Sequence, residues 1–177
     1  MNDETILITK VKQGDQRAFK KLYDQNVEPL YRFMRQYSKD SALIEDWVQR
    51  AFIKSYKNIG AFSGTSRFST WLFTIALNEM RTDVRKPNII MFNSNELESY
   101  PALEENNTGF EWNDIMKSWL SDLDEAKRTV FVLFEVEGYS HAEIASILNI
   151  NENLSRTLLY RTKQLLKTKW ESMEKAV

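Results

Sequence analysis

Residues 138–169 read GYSHAEIASILNINENLSRTLLYRTKQLLKTK, and this stretch decides how the chain is interpreted. Ser140 and Glu143 have the S-x-x-E spacing of a capping box, which predicts that a helix begins at Ser140. Asn149 and Asn151 bracket a very short break, because asparagine tolerates the left-handed conformation that ends a helix and also caps the next one. The pattern predicts a short helix, a three-residue turn and a longer helix, which is a helix-turn-helix.

The longer helix, predicted from about 152 to 170, is basic. It holds five Lys or Arg residues and one Glu, in a chain whose formal net charge is −1. Arg156, Tyr160, Lys163 and Lys167 recur at intervals that place them in one stripe. A local positive excess favours contact with an anion, most often a phosphate backbone. A solvated amphipathic helix would carry similar charges, so the capped helix and short turn before it are what favour DNA.

Composition excludes several functional classes. The 177 residues are 42% hydrophobic, enough for one or two small domains. There is no cysteine and one histidine, His141, so a disulfide framework, a thiolate or multi-histidine metal site and a Ser-His triad are not expected. We therefore expect no metal or cofactor site built on these residue types and no catalytic triad.

No apolar run approaches the length of a membrane span, and the N-terminus lacks the pattern of a signal peptide. These observations predict a cytoplasmic protein without membrane insertion.

Helical periodicity and few glycines and prolines predict an all-α fold. Residues 87–110 hold four Glu, no Lys or Arg and no sustained period, which is typical of a flexible acidic linker. The linker separates residues 1–86, with a net charge of +5, from residues 111–177, with a net charge of −2. We expect two small helical domains, the second containing the helix-turn-helix.

Several boundaries can be predicted in each domain. Asp15 is suited to cap a helix, and Pro29 is expected in the first turn of a further helical segment or at a kink. The other expected helices cover about 42–58, 67–86, 111–123 and 124–137, with a loop at 60–66.

Three stretches, taken together, resemble the extracytoplasmic-function (ECF) group of bacterial sigma factors. AFKKLYDQNVEPLYRFMRQY at 18–37 is similar to the group's AFxxLYxxYxxxLYRF opening. IEDWVQRAFIKSYKNIGAFSGTSRFSTWLFTIALNEMRTDVRK at 44–86 is similar to AEDLVQEVFLxAWxxxxxFxxxxxFxTWLxxIAxNxxxDxxR. RTVFVLFEVEGYSHAEIASILNINENLSRTLLYRTKQLL at 128–166 is similar to RxVFxLxxxEGxSxxEIAxxLGIsxGTxKSxLxRAxxxL.

The resemblance implies a two-domain initiation factor whose partners are core RNA polymerase and promoter DNA. It is also compatible with an anti-sigma factor that holds both domains. In the group, the helix matching 44–57 docks on the polymerase, and the corresponding residues here are Asp46, Gln49, Arg50 and Phe52. Arg50 stands where the group usually has Glu.

The resemblance also implies two DNA contacts. The downstream (minus-ten) element, with one flipped base, would be held by Arg67, Phe68, Ser69, Thr70, Trp71, Asn78 and Arg81. The upstream (minus-thirty-five) element would be read as duplex by Asn153, Arg156, Thr157, Tyr160, Arg161, Lys163 and Lys167.

Three residues of the second helix depart from the group. Asn153 and Leu154 replace a Gly-Thr pair, and Leu158 replaces a polar or basic residue. Leu158 is therefore expected either to read a thymine methyl or to pack. We expect an unusual upstream element.

Two alternatives stay open at this point. One is a DNA-binding regulator that does not bind polymerase, which the charge of Arg50 favours. The other is a hydrolase, based only on scattered Ser and Asp and on His141; since no motif-spaced Ser lies near it, this histidine is better explained as a surface or capping residue.

Overall fold

The computed structural model describes residues 3–84 and 114–175, and every regular element in these two segments is helical, as predicted. The predicted linker at 87–110 lies outside the described residues. The elements are α1 (Asp3–Lys12), α2 (Gln16–Met34), α3 (Ser41–Lys57), a 3-10 turn (Ile59–Ala61), α4 (Phe68–Val84), α5 (Asp114–Ser121), α6 (Glu125–Phe131), a π-helical turn (Val132–Val136), α7 (His141–Leu148) and α8 (Glu152–Glu174).

Helices α1 to α4 form the N-terminal domain, and aspartates set the starts of two of them. Asp15 Oδ1 accepts hydrogen bonds from the backbone N–H groups of Arg17 and Ala18 at 2.8 and 3.1 Å, so the predicted cap is confirmed. Asp40 caps α3 in the same way. These caps satisfy amides that the first turn of a helix would leave without partners.

Pro29 lies inside α2 and does not begin a new helix. The expectation of a further helical segment is therefore wrong. Proline removes one backbone hydrogen bond from a helix interior. The apolar face of α2 offsets this loss, because Leu22, Leu30 and Phe33 are fully buried in the domain core.

Helices α5 to α8 form the C-terminal domain, and its helix-turn-helix is confirmed. Ser140 and Glu143 make both bonds of a capping box. Asn149 ends α7 with φ 55°, in the left-handed region, and the Asn151 side chain caps α8 by accepting from the N–H of Leu154 at 2.7 Å. Helix α8 runs four residues beyond its predicted end.

The end of α6 differs from prediction. Instead of one helix to residue 137, the chain widens into the π-helical turn, in which the N–H of Glu137 bonds to the carbonyl of Val132 at 3.0 Å. Gly138 follows with φ 70°, a conformation that glycine adopts without strain. The widened turn and the glycine direct Glu137 and Tyr139 towards the N-terminal domain.

The two domains pack against each other, mainly through α4 and α7. Arg32 of α2 forms two hydrogen bonds with the Glu137 carboxylate, at 3.0 and 2.9 Å, and the Glu137 side chain is only 4% exposed. The hydroxyls of Tyr37 and Thr129 share a hydrogen bond of 2.5 Å. Burial raises the pKa of Tyr37 well above its usual value, so this phenol stays neutral.

Within the described segments, none of the helices is both long enough and apolar enough to cross a membrane. The same residues contain no cluster of potential metal ligands.

Candidate nucleic-acid and polymerase interfaces

One side of α8 is open to solvent. Its opposite side packs on the domain core through Ser155, Leu159, Thr162 and Leu166. The structure places all seven predicted upstream residues on the exposed part of the helix: Asn153, Arg156, Thr157, Tyr160, Arg161, Lys163 and Lys167. Tyr160 is the most exposed large apolar side chain in the described residues, at 65%. Contact between these seven residues and DNA stays a prediction.

Most of the basic side chains on α8 have acidic partners. Arg156 pairs with Glu152 one turn earlier, and Lys163 Nζ lies 2.6 Å from Glu135. Lys167 lies 3.7 Å from Glu171. Arg161 has no ion pair within the described part of the chain. The positive field of this helix is thus smaller than its count of basic residues indicates.

His141 lies beside the start of α8. Its Nδ1 is 2.9 Å from Ser155 Oγ, and its ring stacks on Phe134 with 4.5 Å between centroids. Burial lowers the pKa of His141, and the charges of Arg156 and Lys163 lower it further. The histidine is neutral at pH 7 and joins the two helices of the motif.

A cleft opens between the end of α3 and the stretch of α4 from Trp71 to Glu79. Its volume is about 310 Å³, and its lining residues are Lys54, Asn58, Trp71, Ile75, Asn78 and Glu79. Two of the predicted downstream residues, Trp71 and Asn78, meet here. Phe62 supports the indole of Trp71, with ring centroids 5.1 Å apart. The cleft therefore offers an aromatic face beside amide and ammonium hydrogen-bond donors.

Lys54 and Asn58 were not predicted as site residues. They are four residues apart at the end of α3, so they share a face of that helix. That spacing is visible in the sequence, but the approach of α4 to this face is a tertiary contact that no local pattern reports.

The other downstream residues lie away from the cleft. Phe68 is fully buried, and its backbone N–H donates to Glu4 Oε1 at 3.0 Å, so this carboxylate caps α4 from α1. Thr70 is buried as well. Ser69 lies near the phenol of Tyr139 in the other domain. Burial raises the pKa of Tyr139 to about 12, which keeps the phenol neutral.

The two remaining downstream residues also pair with the C-terminal domain. Arg67 Nε lies 3.1 Å from Glu143, the glutamate of the capping box. Arg81 lies 3.4 Å from Glu125 at the start of α6. Three of the seven predicted downstream residues, counting Ser69, are thus engaged by the C-terminal domain in this arrangement.

The predicted polymerase-binding residues fall into two groups. Asp46 and Gln49 are exposed on the outer side of α3. Phe52 is 3% exposed, and its ring packs on Phe19 and Tyr23 with centroids 6.4 and 4.6 Å away. Phe52 therefore packs α3 against α2 on the buried side of the helix.

Arg50 is directed towards α4. Its guanidinium pairs with Asp83, with Glu79 at 3.6 Å and with Asp46 at 2.7 Å. Hydrogen bonding to Asp83 raises the pKa of Arg50, because it stabilises the charged form. Trp47 Nε1 donates to the same Asp83 carboxylate at 3.0 Å. Arg50, which stands where the ECF group usually has Glu, thus joins α3 to α4. Its positive charge is neutralised by carboxylates of the same domain.

Comparison with known proteins agrees with this two-domain geometry. The family model for Sigma-70 region 2 matches residues 22–88, and that for Sigma-70, region 4 matches residues 116–166. Together the matches take in about two thirds of the chain, one on each domain.

Similar relatives span nearly the whole chain. The ECF RNA polymerase sigma-E factors of Escherichia coli K12 and Haemophilus influenzae are each 28% identical to it. The first alignment covers 94% of this chain and 93% of the relative, and the second covers 94% of both.

Two solved structures share the fold. CnrH in complex with the cytosolic domain of CnrY superimposes with a TM-score of 0.73 at 22% identity, over 97% of this chain and 99% of that one. The sigma factor RpoE in complex with the anti-sigma factor NepR from Bartonella quintana superimposes with a TM-score of 0.70 at 22% identity, over 86% of this chain and 96% of that one.

Fold and surfaces together define a two-domain helical transcription factor with a helix-turn-helix at its C-terminal end. The chain belongs to the sigma-70 family, and its two-region layout is that of an ECF sigma factor. It therefore takes part in promoter-directed transcription initiation by RNA polymerase.

Proposed function

We propose that the two domains of this sigma factor divide promoter recognition between the α3–α4 cleft and the open face of α8. The observation that carries this proposal is that the α3–α4 cleft and the exposed face of α8 lie on separate domains. We assign residues 1–86 to polymerase binding and the downstream element, 87–110 to the linker and 111–177 to the upstream element.

In this proposal the cleft receives a base flipped out of the downstream element. Unstacking a base costs a few kcal/mol, which stacking on an aromatic ring and hydrogen bonds can offset. Trp71 offers the ring face. Asn78 and Lys54 offer polar groups at the rim, and Lys54 is held in place by its ion pair with Glu79. Opening of the duplex would thus be stabilised at this domain.

The C-terminal domain reads duplex DNA in this proposal. In a helix-turn-helix, the N-terminal residues of the second helix contact base edges in the major groove. Asn153, Thr157 and Tyr160 occupy that position on α8. Arg161, which has no ion pair in the described residues, is suited to a guanine edge or a phosphate.

Polymerase docking is assigned to the outer side of α3. Asp46 and Gln49 are exposed there, and Arg50 and Phe52 hold the helix from its inner side. Polymerase then performs the chemistry, and this chain contributes no catalytic residue. We place the protein in the cytoplasm, where polymerase and promoter are.

The packed arrangement of the domains represents a closed form. Arg67, Ser69 and Arg81 contact the C-terminal domain, so the downstream surface is partly covered. Binding to polymerase would separate the domains and release these residues. An anti-sigma factor would act by stabilising the closed form, and similarity to RpoE, solved with the anti-sigma factor NepR, supports such a partner.

The test is transcription in vitro with core polymerase of the source bacterium, with and without the protein, on a pool of genomic fragments. Specific transcripts that require the protein are expected, with permanganate reactivity of thymines at their start sites. A protein that binds fragments but stimulates none would support the regulator alternative.

A further inference from the structure

The surface of α8 divides into three lanes along the helix. The basic lane contains Arg156, Lys163 and Lys167, the uncharged polar lane Asn153, Thr157 and Gln164, and the apolar lane Leu154, Leu158 and Leu165. Tyr160 lies between the basic and polar lanes, and Arg161 lies between the polar and apolar lanes. Three leucines in line are unusual on a DNA-reading helix, because charged or polar side chains such as Arg161 normally flank the polar lane.

The three leucines of the apolar lane differ in exposure. Leu158 is partly buried and packs against the hydrophobic core, so packing accounts for it. Leu154 is 42% exposed and Leu165 is 45% exposed. Of the two exposed leucines, Leu154 lies in the first turn of α8, the part that enters the groove in a helix-turn-helix.

We propose that Leu154 is a specificity-determining residue that contacts the C5 methyl group of a thymine in the upstream element. The inference rests on the proposed function, since it requires that α8 enters the major groove. A thymine methyl is the one apolar group that base edges present there, and apolar side chains are its usual partners.

The surroundings of Leu154 favour this contact. Its backbone N–H is already bonded to Asn151, so its side chain is the part available to DNA. The neighbouring charges, Glu152 and Arg156, are paired with each other. The first turn therefore presents an apolar group whose exposure to water is unfavourable until another apolar group covers it.

Leu165 serves as the matched control. It has nearly the same exposure in the same lane, but it lies eleven residues later, about 16 Å along the helix axis. That distance places it beyond the first turns of α8, so a groove contact by Leu154 does not extend to it. A protein partner covering the whole lane would contact both leucines.

The experiment uses the holoenzyme formed with core polymerase. Upstream elements are first selected from a promoter pool randomised in that region. Each thymine of the selected element is then replaced by deoxyuridine, which removes one methyl group and no hydrogen bond. We expect one or two positions where this replacement weakens wild-type binding about fourfold, the effect of removing one methyl contact.

The sensitivity to deoxyuridine should vanish in Leu154→Ala, which removes the end of the side chain, and persist in Leu165→Ala. Both sites are exposed, so folding is retained, and circular dichroism checks this. Sensitivity that is absent in wild type, or unchanged in Leu154→Ala, overturns the inference while leaving the proposed function intact. Loss of core polymerase binding in Leu154→Ala would assign the leucine to a protein contact and also overturn it. Failure to select any upstream element would instead overturn the proposed function.

Discussion

The ring of Tyr139, just before α7, lies 5.3 Å from the ring of Phe73 on α4, measured between centroids. Phe73 is fully buried and Tyr139 is 7% exposed. Because the rings belong to different domains, separating the domains would expose apolar area that is now covered. The same phenol lies near Ser69, so the contact places the helix-turn-helix beside the downstream surface.

Breaking the ion pair between Arg32 and Glu137 should open the closed form. Arg32→Glu places two carboxylates together, one of them 4% exposed, and loss of a charged hydrogen bond costs ~1.5–3 kcal/mol. Because the Arg32 side chain is 47% exposed, the low end of this range applies, and the open fraction of the free protein should rise on the order of tenfold. Fluorescence energy transfer between dyes on the two domains measures the change.

The double variant Arg32→Glu with Glu137→Arg should restore closure, because it restores opposite charges. Lys20→Glu is the control, since Lys20 lies on the same helix and its ion pair within the described residues is with Asp24 at the surface. If Arg32→Glu leaves the energy transfer unchanged, this pair does not hold the domains together.

Asn78→Ala and Lys54→Met should impair opening of the promoter more than binding of closed duplex. Both side chains line the cleft, and each would lose a hydrogen bond to an extruded base, worth about 1 kcal/mol or a fivefold effect. Permanganate reactivity of the opened strand reports opening, and gel shift at low temperature reports duplex binding. Thr82→Ala, exposed one turn beyond Asn78, is the control and should behave as wild type.

Arg50→Glu should destabilise the N-terminal domain by about 2 kcal/mol. Breaking a fully buried ion pair costs ~3–5 kcal/mol, and the Arg50 side chain is 29% exposed, which reduces the penalty. The variant would place a carboxylate beside Glu79 and Asp83. Thermal unfolding measures the loss, with Gln49→Glu on the exposed side of α3 as the control. Equal melting temperatures for both variants would contradict a joining role for Arg50.

The sequence predicted elements whose signals are local, and the structure bears out the capping box, the Asn149 turn and the Asp15 cap. The further helical segment expected at Pro29 is absent because tertiary burial of α2 outweighs one missing hydrogen bond. The π-helical turn could not be predicted from periodicity. Residues 130–136 are nearly all apolar, so one extra residue in the turn does not change the pattern. The role of Arg50 depends on its ion pairs with α4, whose residues are about thirty positions later in the sequence.

Glu152→Gln should strengthen upstream binding and increase its salt dependence. The substitution releases Arg156 from its ion pair, so the guanidinium can reach a phosphate. One more phosphate contact steepens the slope of log K against log salt by about 0.9. Fluorescence anisotropy of holoenzyme on promoter duplex at several salt concentrations gives this slope. Asp24→Asn, the same charge change on α2, is the control; equal slopes in both variants would mean that Arg156 does not contact phosphate.

His141 should make the C-terminal domain less stable in mild acid. Its folded pKa is below the unfolded value of about 6.5, so the unfolded state binds more protons as the pH falls. The stability from the neutral ring is thus fully present above pH 6.5 and is lost as the pH falls through the folded pKa. Arg156 and Lys163 oppose protonation, whereas Glu152 favours it. His141→Gln removes the titration, so its melting temperature should fall less than that of wild type between pH 7 and pH 5. If the melting temperatures of wild type and His141→Gln fall equally between pH 7 and pH 5, the pKa of His141 does not differ between the folded and unfolded states.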